Sequence, residues 1–145
     1  MSVTAKKIDP DKKVKEGWIR STMMIEALAV NRDAVKSALE KHVASMEGVK
    51  TNHIYKKEFG EPREVEKPLP NVEKAYSAVV ELEMVSKNFE TLLSMVMAFG
   101  PSSVELLEPK KLELDIGEAQ GILVLAADII HRFAGLSIGG IHIRT

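Results

Sequence analysis

An α+β fold is predicted for this chain by three features of its sequence. Apolar residues recur with period two or period 3.6 in the order strand, helix, strand, strand, helix, strand. The first strand, within Trp18–Val30, is mostly apolar on both of its faces, which marks the centre of a sheet. After Pro109 comes a long helix whose apolar stripe is wider than a small four-stranded layer needs.

In Trp18–Val30, Met23, Ile25, Ala27 and Ala29 share one face, while Met24, Glu26, Leu28 and Val30 share the other. Asn31 is the expected N-cap of a helix over Arg32–Met46, striped by Val35, Leu39, Val43 and Met46 and stopped at Gly48. Val49–Phe59 is a second strand. Gly60–Lys74 holds three prolines and many charges, and reads as a long loop or an extended, mobile hairpin tip. Ala75–Met84 alternates: Tyr76, Ala78, Val80, Leu82 and Met84 point one way, and Ser77, Glu81 and Glu83 the other. Asn88 caps a second helix with Phe89, Leu92, Leu93, Val96 and Met97 as its apolar positions, ended by Gly100-Pro101. Ser103–Leu107 is the fourth strand.

This order is the split βαβ, ferredoxin-like plan. Right-handed crossovers place the first and third strands in the centre of an antiparallel sheet, with both helices on one face. The additional C-terminal helix spans about Gly117–Phe133, with Asp115 as N-cap and Glu118 at capping-box spacing. Ile116, Ala119, Ile122, Leu123, Ala126, Ile129, Ile130 and Phe133 form its stripe, widened by Val124, Leu125 and Ala127, so burial on more than one side is expected. Residues 1–17 read as a flexible, lysine-rich arm. Residues 18–145 read as a single domain, divided into a core over 18–108 and a helix with tail over 109–145. Ile141–Arg144 has the pattern of a further edge strand.

The 145 residues suffice for one core, and 45% apolar with 28% charged residues is ordinary for a soluble globular chain. A net charge of −1 supplies no global field for nucleic acid or an acidic membrane. The absence of cysteine removes disulfides, thiolate nucleophiles and cysteine-based metal sites, and fits a cytoplasmic protein. The first residues are not patterned as a signal peptide, and the run Gly121–Ala127, interrupted by Asp128, is too short to span a bilayer.

Few residues signal chemistry. His42, His53, His131 and His142 include no pair at the i, i+4 spacing of a helical metal motif. The glycines form no phosphate loop, and G-x-S-x-G is absent. Strand parity does place Glu26, Glu81 and Glu105 on the face opposite the helices, on three neighbouring strands. Brought together, three carboxylates bind a divalent cation or act as acid and base. Solvation, or pairing with Arg20, Lys50, Lys56 or Arg132, is the alternative. No cofactor is expected.

The run Gly17-Trp18-Ile19 entering the first strand, with Pro101-Ser102-Ser103-Val104-Glu105, Glu108-Pro109 and Leu112-Glu113-Leu114, resembles a family of small archaeal proteins of unknown function. The resemblance covers roughly residues 17–133. It implies a ferredoxin-like domain, no assigned activity and no functional residues to carry over. Val104–Pro109 is also similar to the closing segment of WYL-type regulatory domains, but the aromatic core motif and helix-turn-helix of such regulators are missing here.

The functional expectation is a non-enzymatic, homo-oligomeric module that binds a protein or a small molecule. Its subunits would meet through Ile122, Leu123, Leu125, Ala126, Ile129, Ile130 and Phe133, through the open sheet face, or both. A ligand would sit at that interface or beneath the 60–74 segment. The alternatives are a metal-dependent protein using Glu26, Glu81 and Glu105, and weak nucleic-acid binding through the lysine arm, which its interleaved acids disfavour.

Overall fold

The computed structural model describes residues 8–137. In chain order the elements are α1 (Pro10–Lys15), β1 (Ile19–Ala29), α2 (Arg32–Glu47), β2 (Asn52–Phe59), β3 (Arg63–Leu69), β4 (Val72–Ser86), α3 (Phe89–Phe99), β5 (Ser103–Glu108) and α4 (Ile116–Ser137). They make an α+β structure with a five-stranded sheet ordered β2-β4-β1-β5, in which β3 also pairs with β4. Every pairing is antiparallel. Contacts divide the chain into two compact units, Met1–Lys111 and Leu112–Thr145.

In the first unit β1 and β4 form the central pair, and their register holds from Ile19↔Ser86 to Ala29↔Tyr76 without a shift. Odd residues of β1 and even residues of β4 therefore share a face. Ile19, Met23, Ile25, Ala78, Val80, Leu82 and Met84 are buried there, against Val35, Leu39, Val43 and Met46 of α2 and Leu92 and Met95 of α3. Both helices lie on that face because their crossovers start and end on the same sheet. Tyr76 and Ala29 sit at the margin of this core, partly buried.

The caps are those the sequence specifies. Asn31 Oδ1 accepts from the Ala34 amide at 2.8 Å. Asn88 Oδ1 accepts from the Thr91 amide at 2.8 Å, while Thr91 Oγ1 accepts from the Asn88 amide at 3.2 Å, closing a reciprocal box. Gly100 ends α3 with φ +57, the left-handed conformation that a side chain disfavours.

Two segments depart from the expectation. The 60–74 stretch is not a loop. The β3 strand runs on from β2 along the same edge of β4, with Gly60 N–H donating to Val79 C=O at 2.8 Å between them. It is the far half of one long hairpin. Pro68 falls in the register shift between Glu66 and Leu69, where a missing N–H breaks no ladder bond. Residues 10–15 are not an unstructured arm either. Asp9 caps α1, with Pro10 in its first turn, where the absent amide is one of the helix's unpaired donors anyway.

The second unit contains α4, whose start is fixed by Asp115 Oδ1 accepting from the Glu118 amide at 2.7 Å. Where burial on more than one side was expected, no residue of this helix whose burial is described (116–135) is buried. The segment Ile141–Arg144 and His142 lie outside the described residues.

The core analysis carries one stability expectation. Leu82 is fully buried at the centre of β4, so Leu82→Ala should destabilise the protein by about 2–5 kcal/mol in urea titration. A loss below about 1 kcal/mol would mean the site collapses around the deletion.

Candidate functional site

The face of the sheet opposite α2 and α3 carries the even residues of β1 and the odd residues of β4. Its rows run across the strands, and α1 closes the first of them. There His53, Val85, Arg20 and Glu108 stand side by side on β2, β4, β1 and β5. Val85 is fully buried. Trp18 stacks on His53 with ring centroids 5.2 Å apart, and Lys13 Nζ of α1 lies 4.6 Å from the Trp18 ring centroid. Arg20 Nη2 donates to Asp11 Oδ1 of α1 at 2.5 Å, and its Nε, buried and without a hydrogen bond, stands 3.5 Å from Glu108 Oε2. The same guanidinium lies 5.8 Å from the centre of the Tyr55 ring, and the Tyr55 hydroxyl donates to Glu83.

These contacts shift the titration of three groups. The bond to Asp11, opposed by burial, holds Arg20 above its usual range. Burial first, and the Glu83 carboxylate second, push the Tyr55 phenol up. Burial first, and the Lys13 ammonium second, push His53 down. Arg20 is thus a fixed cation that ties α1, β1 and β5 together, and Tyr55 stays a neutral donor.

Further along the face come Lys56, Glu83, Thr22 and Glu105, then Glu58, Glu81, Met24 and Ser103, then Val79 beside Glu26. Glu26, Glu81 and Glu105 share this face, as their parity requires, but not a row. Glu81 is opposite Met24, Glu105 is opposite Thr22, and Glu26 lies two residues beyond Met24. Glu26 and Glu81 are therefore diagonal neighbours, roughly 7–8 Å apart at their Cα atoms. Glu81 and Glu105 are separated by the whole of β1. A shared cation needs carboxylate oxygens at about 2.3–2.6 Å. Among the described residues, no group of three or more His, Asp or Glu is placed to hold one.

Three of the four cations expected as alternative partners are engaged elsewhere: Arg20 with Asp11 and Glu108, Lys56 with Glu58, and Arg132 with Asp128. Glu26 accepts only a long hydrogen bond, 3.4 Å, from Ser77 Oγ among the described residues. Beside it a groove of about 530 Å³ runs between Leu28 and the β3 residues Arg63, Val65 and Glu66. On the helix side a smaller cavity of about 180 Å³ is bounded by Ala38, His42 and Phe99. There His42 Nε2–H donates to the Phe99 carbonyl at 2.8 Å.

The residues expected at a subunit interface divide into two sets. Ile122, Leu125, Ala126 and Ile129 are half-buried, whereas Leu123, Ile130 and Phe133 are exposed. Val104 and Leu106 of β5 lie opposite Met23 and Ser21, on the helix-bearing face, yet remain exposed. The Asp11–Arg20–Glu108 and Tyr55–Glu83 contacts were not singled out in the sequence. Their only local signal was a polar residue, Arg20, at an even position of a strand otherwise rich in apolar residues.

Together these elements define a small α+β protein with an antiparallel sheet, an acidic open face latched by a short helix, and a separate apolar helix. The chain belongs to the MJ0538 family, whose family model matches residues 20–140. That family is uncharacterised. No curated protein and no solved structure matches the chain significantly. No helix among the described residues is long and apolar enough to cross a membrane.

Two outcomes are expected from the latch. Asp11 is largely exposed, so Asp11→Asn should change global stability by less than about 1 kcal/mol. It should nevertheless speed amide exchange across residues 10–15 and shift the fluorescence of Trp18 to the red. Unaltered exchange there would show that α1 is held without the ion pair. His53 supplies the second outcome. The unfolded chain protonates this ring near the usual value of about 6.5, while the folded chain resists the proton. Stability present above that pH is therefore lost as the solution becomes more acid. Between pH 7.5 and 5.5 the native protein should lose more stability than His53→Gln, followed by circular dichroism. Equal losses would remove His53 from the acid response.

Proposed function

We propose that this chain is a ferredoxin-like, cytoplasmic, non-enzymatic module that works as a homo-oligomer and binds a protein or a small molecule. The ferredoxin-like reading is supported by β2 and β3 occupying one edge of β4 in the same direction. The sheet then reduces to four lanes, with β4 and β1 in the middle.

The observation that carries the functional reading is where large apolar side chains meet solvent. Met24 and Leu28 lie exposed on the open sheet face, Val104, Leu106 and Leu107 on β5, and Leu123, Ile130 and Phe133 on α4. Scattered apolar residues are ordinary on a surface, but sets that share an element mark association or ligand binding. The polar groups of the open face suit recognition better than catalysis, because the close ones are already paired and the unpaired ones are spread apart.

A cation bridged by Glu26, Glu81 and Glu105 is the weaker reading, since the register separates them. Nucleic-acid binding is weaker still. Lys12, Lys13 and Lys15 of α1 are interspersed with Asp9, Asp11 and Glu16, and they border a face rich in glutamate.

Light scattering coupled to size-exclusion chromatography tests the assembly. A mass that is a multiple of 16.0 kDa is expected at micromolar concentration. A 16.0 kDa particle with α4 helical would contradict the proposal.

A further inference from the structure

We infer that α4 is the self-association element, and that its seam is the line Ile116–Leu123–Ile130 continued by Phe133. This deepens the homo-oligomer reading above and rests on it. Three large apolar side chains recur at intervals of seven residues, and they are 89%, 68% and 68% exposed; Phe133, three residues past the last, is 69% exposed. A seven-residue repeat keeps to one side of an α-helix over several turns, which suits a straight apolar seam against a second helix.

The seam is distinct from the half-buried side of α4. At 100° per residue, Ile122, Leu125 and Ile129 point about a quarter to a half turn away from Leu123 and Ile130, and they are partly covered already. The apolar surface of the described residues thus faces two directions, one half-buried and one exposed.

The occupant is a second copy of the same helix. Burying one such side chain removes about 60–120 Å² of apolar surface from water, by the ratio of its transfer free energy to the free energy per unit area. Against the about 800 Å² that a standard interface takes from each partner, Ile116, Leu123, Ile130 and Phe133 supply the apolar centre of one side. A two-fold pairing presents the same seam from both copies. Nothing ionic along it opposes self-pairing. The flanking positions are Gln120, Ile122, Ala127, Ile129 and Ala134, while Asp128 and Arg132 are paired with each other off the seam.

Leu123 is the midpoint of the line, so it meets its own copy whether the helices run parallel or antiparallel. The chain has no cysteine, so Leu123→Cys reports on this contact alone. Under mild oxidation of the full chain it should give a covalent dimer, while Asp128→Cys, on the far side of the helix from the seam, should give far less. Leu123→Glu combined with Ile130→Glu should raise the dissociation constant at least about thirtyfold, with helicity unchanged by circular dichroism. Met24→Glu on the sheet should leave it within about twofold. If the double variant stays associated and Met24→Glu dissociates it, the seam is wrong and the homo-oligomer stands. If the native chain is a monomer throughout, both readings fall together. A native dimer whose Leu123→Cys variant never cross-links also overturns the seam.

Discussion

Eleven residues of β1 face β4 in unbroken antiparallel register, and most other features of the first unit depend on that pairing. Because side chains alternate, the pairing assigns each residue of both strands to a face, and a slip of one position would exchange the two faces entirely. One face then receives Met23, Ile25, Val80 and Leu82, which gives α2 and α3 something to pack on. The other receives Arg20, Glu26, Glu81 and Glu83. The burial of the first set stabilises the register, and the register in turn fixes where the charges stand.

Charge placement on the open face follows from geometry more than from composition. The row nearest α1 is dense: Arg20 donates to Asp11 and stands beside Glu108, with its Nε left without a hydrogen bond, and in the next row Glu83 accepts from Tyr55. Further along, Glu58 pairs with Lys56, Glu26 shares a groove with Arg63 of β3, and Glu26 and Glu81 step diagonally. The same face is therefore latched at one end and carries more widely spaced charges at the other. An exposed ion pair such as Asp11–Arg20 contributes little to global stability, but it can decide whether a six-residue helix without buried side chains of its own stays docked. Short helices are marginal in water, so tertiary contacts must hold this one.

The main elements were legible because each announced itself locally. Apolar residues on both faces marked β1, alternation marked β4, the Val35–Leu39–Val43 stripe marked α2, and Asn31, Asn88, Asp115 and Gly100 marked the helix ends. What local pattern could not give was anything decided by a distant partner. The β3 strand has prolines and charges on both sides and reads as loop; it is a strand because the N-terminal extension of β4 offers it an edge. The α1 helix lacks an apolar period and is placed by Arg20 and the Trp18–His53 stack. Parity put Glu26, Glu81 and Glu105 on one face. Their stagger depends on which residue of β4 meets Met24 and which residue of β5 meets Thr22, and no short-range pattern specifies those pairings.

The two units of the chain handle apolar surface in opposite ways. In Met1–Lys111 the apolar face of the sheet is met by two amphipathic helices whose stripes match it, so Leu39, Met46, Leu82 and Met84 are sealed from water. In Leu112–Thr145 a 22-residue helix carries apolar side chains in two directions, and none of those described is fully buried. A helix needing only to cover one surface would tolerate polar residues at 116, 123 and 130, where side chains meet water in the single chain. Isoleucine and leucine at those positions weaken solubility without adding to the core. Their presence has a physical rationale if the exposed line is itself an interface. Its seven-residue spacing and freedom from charge are the features on which the proposed pairing with a second copy of this helix rests.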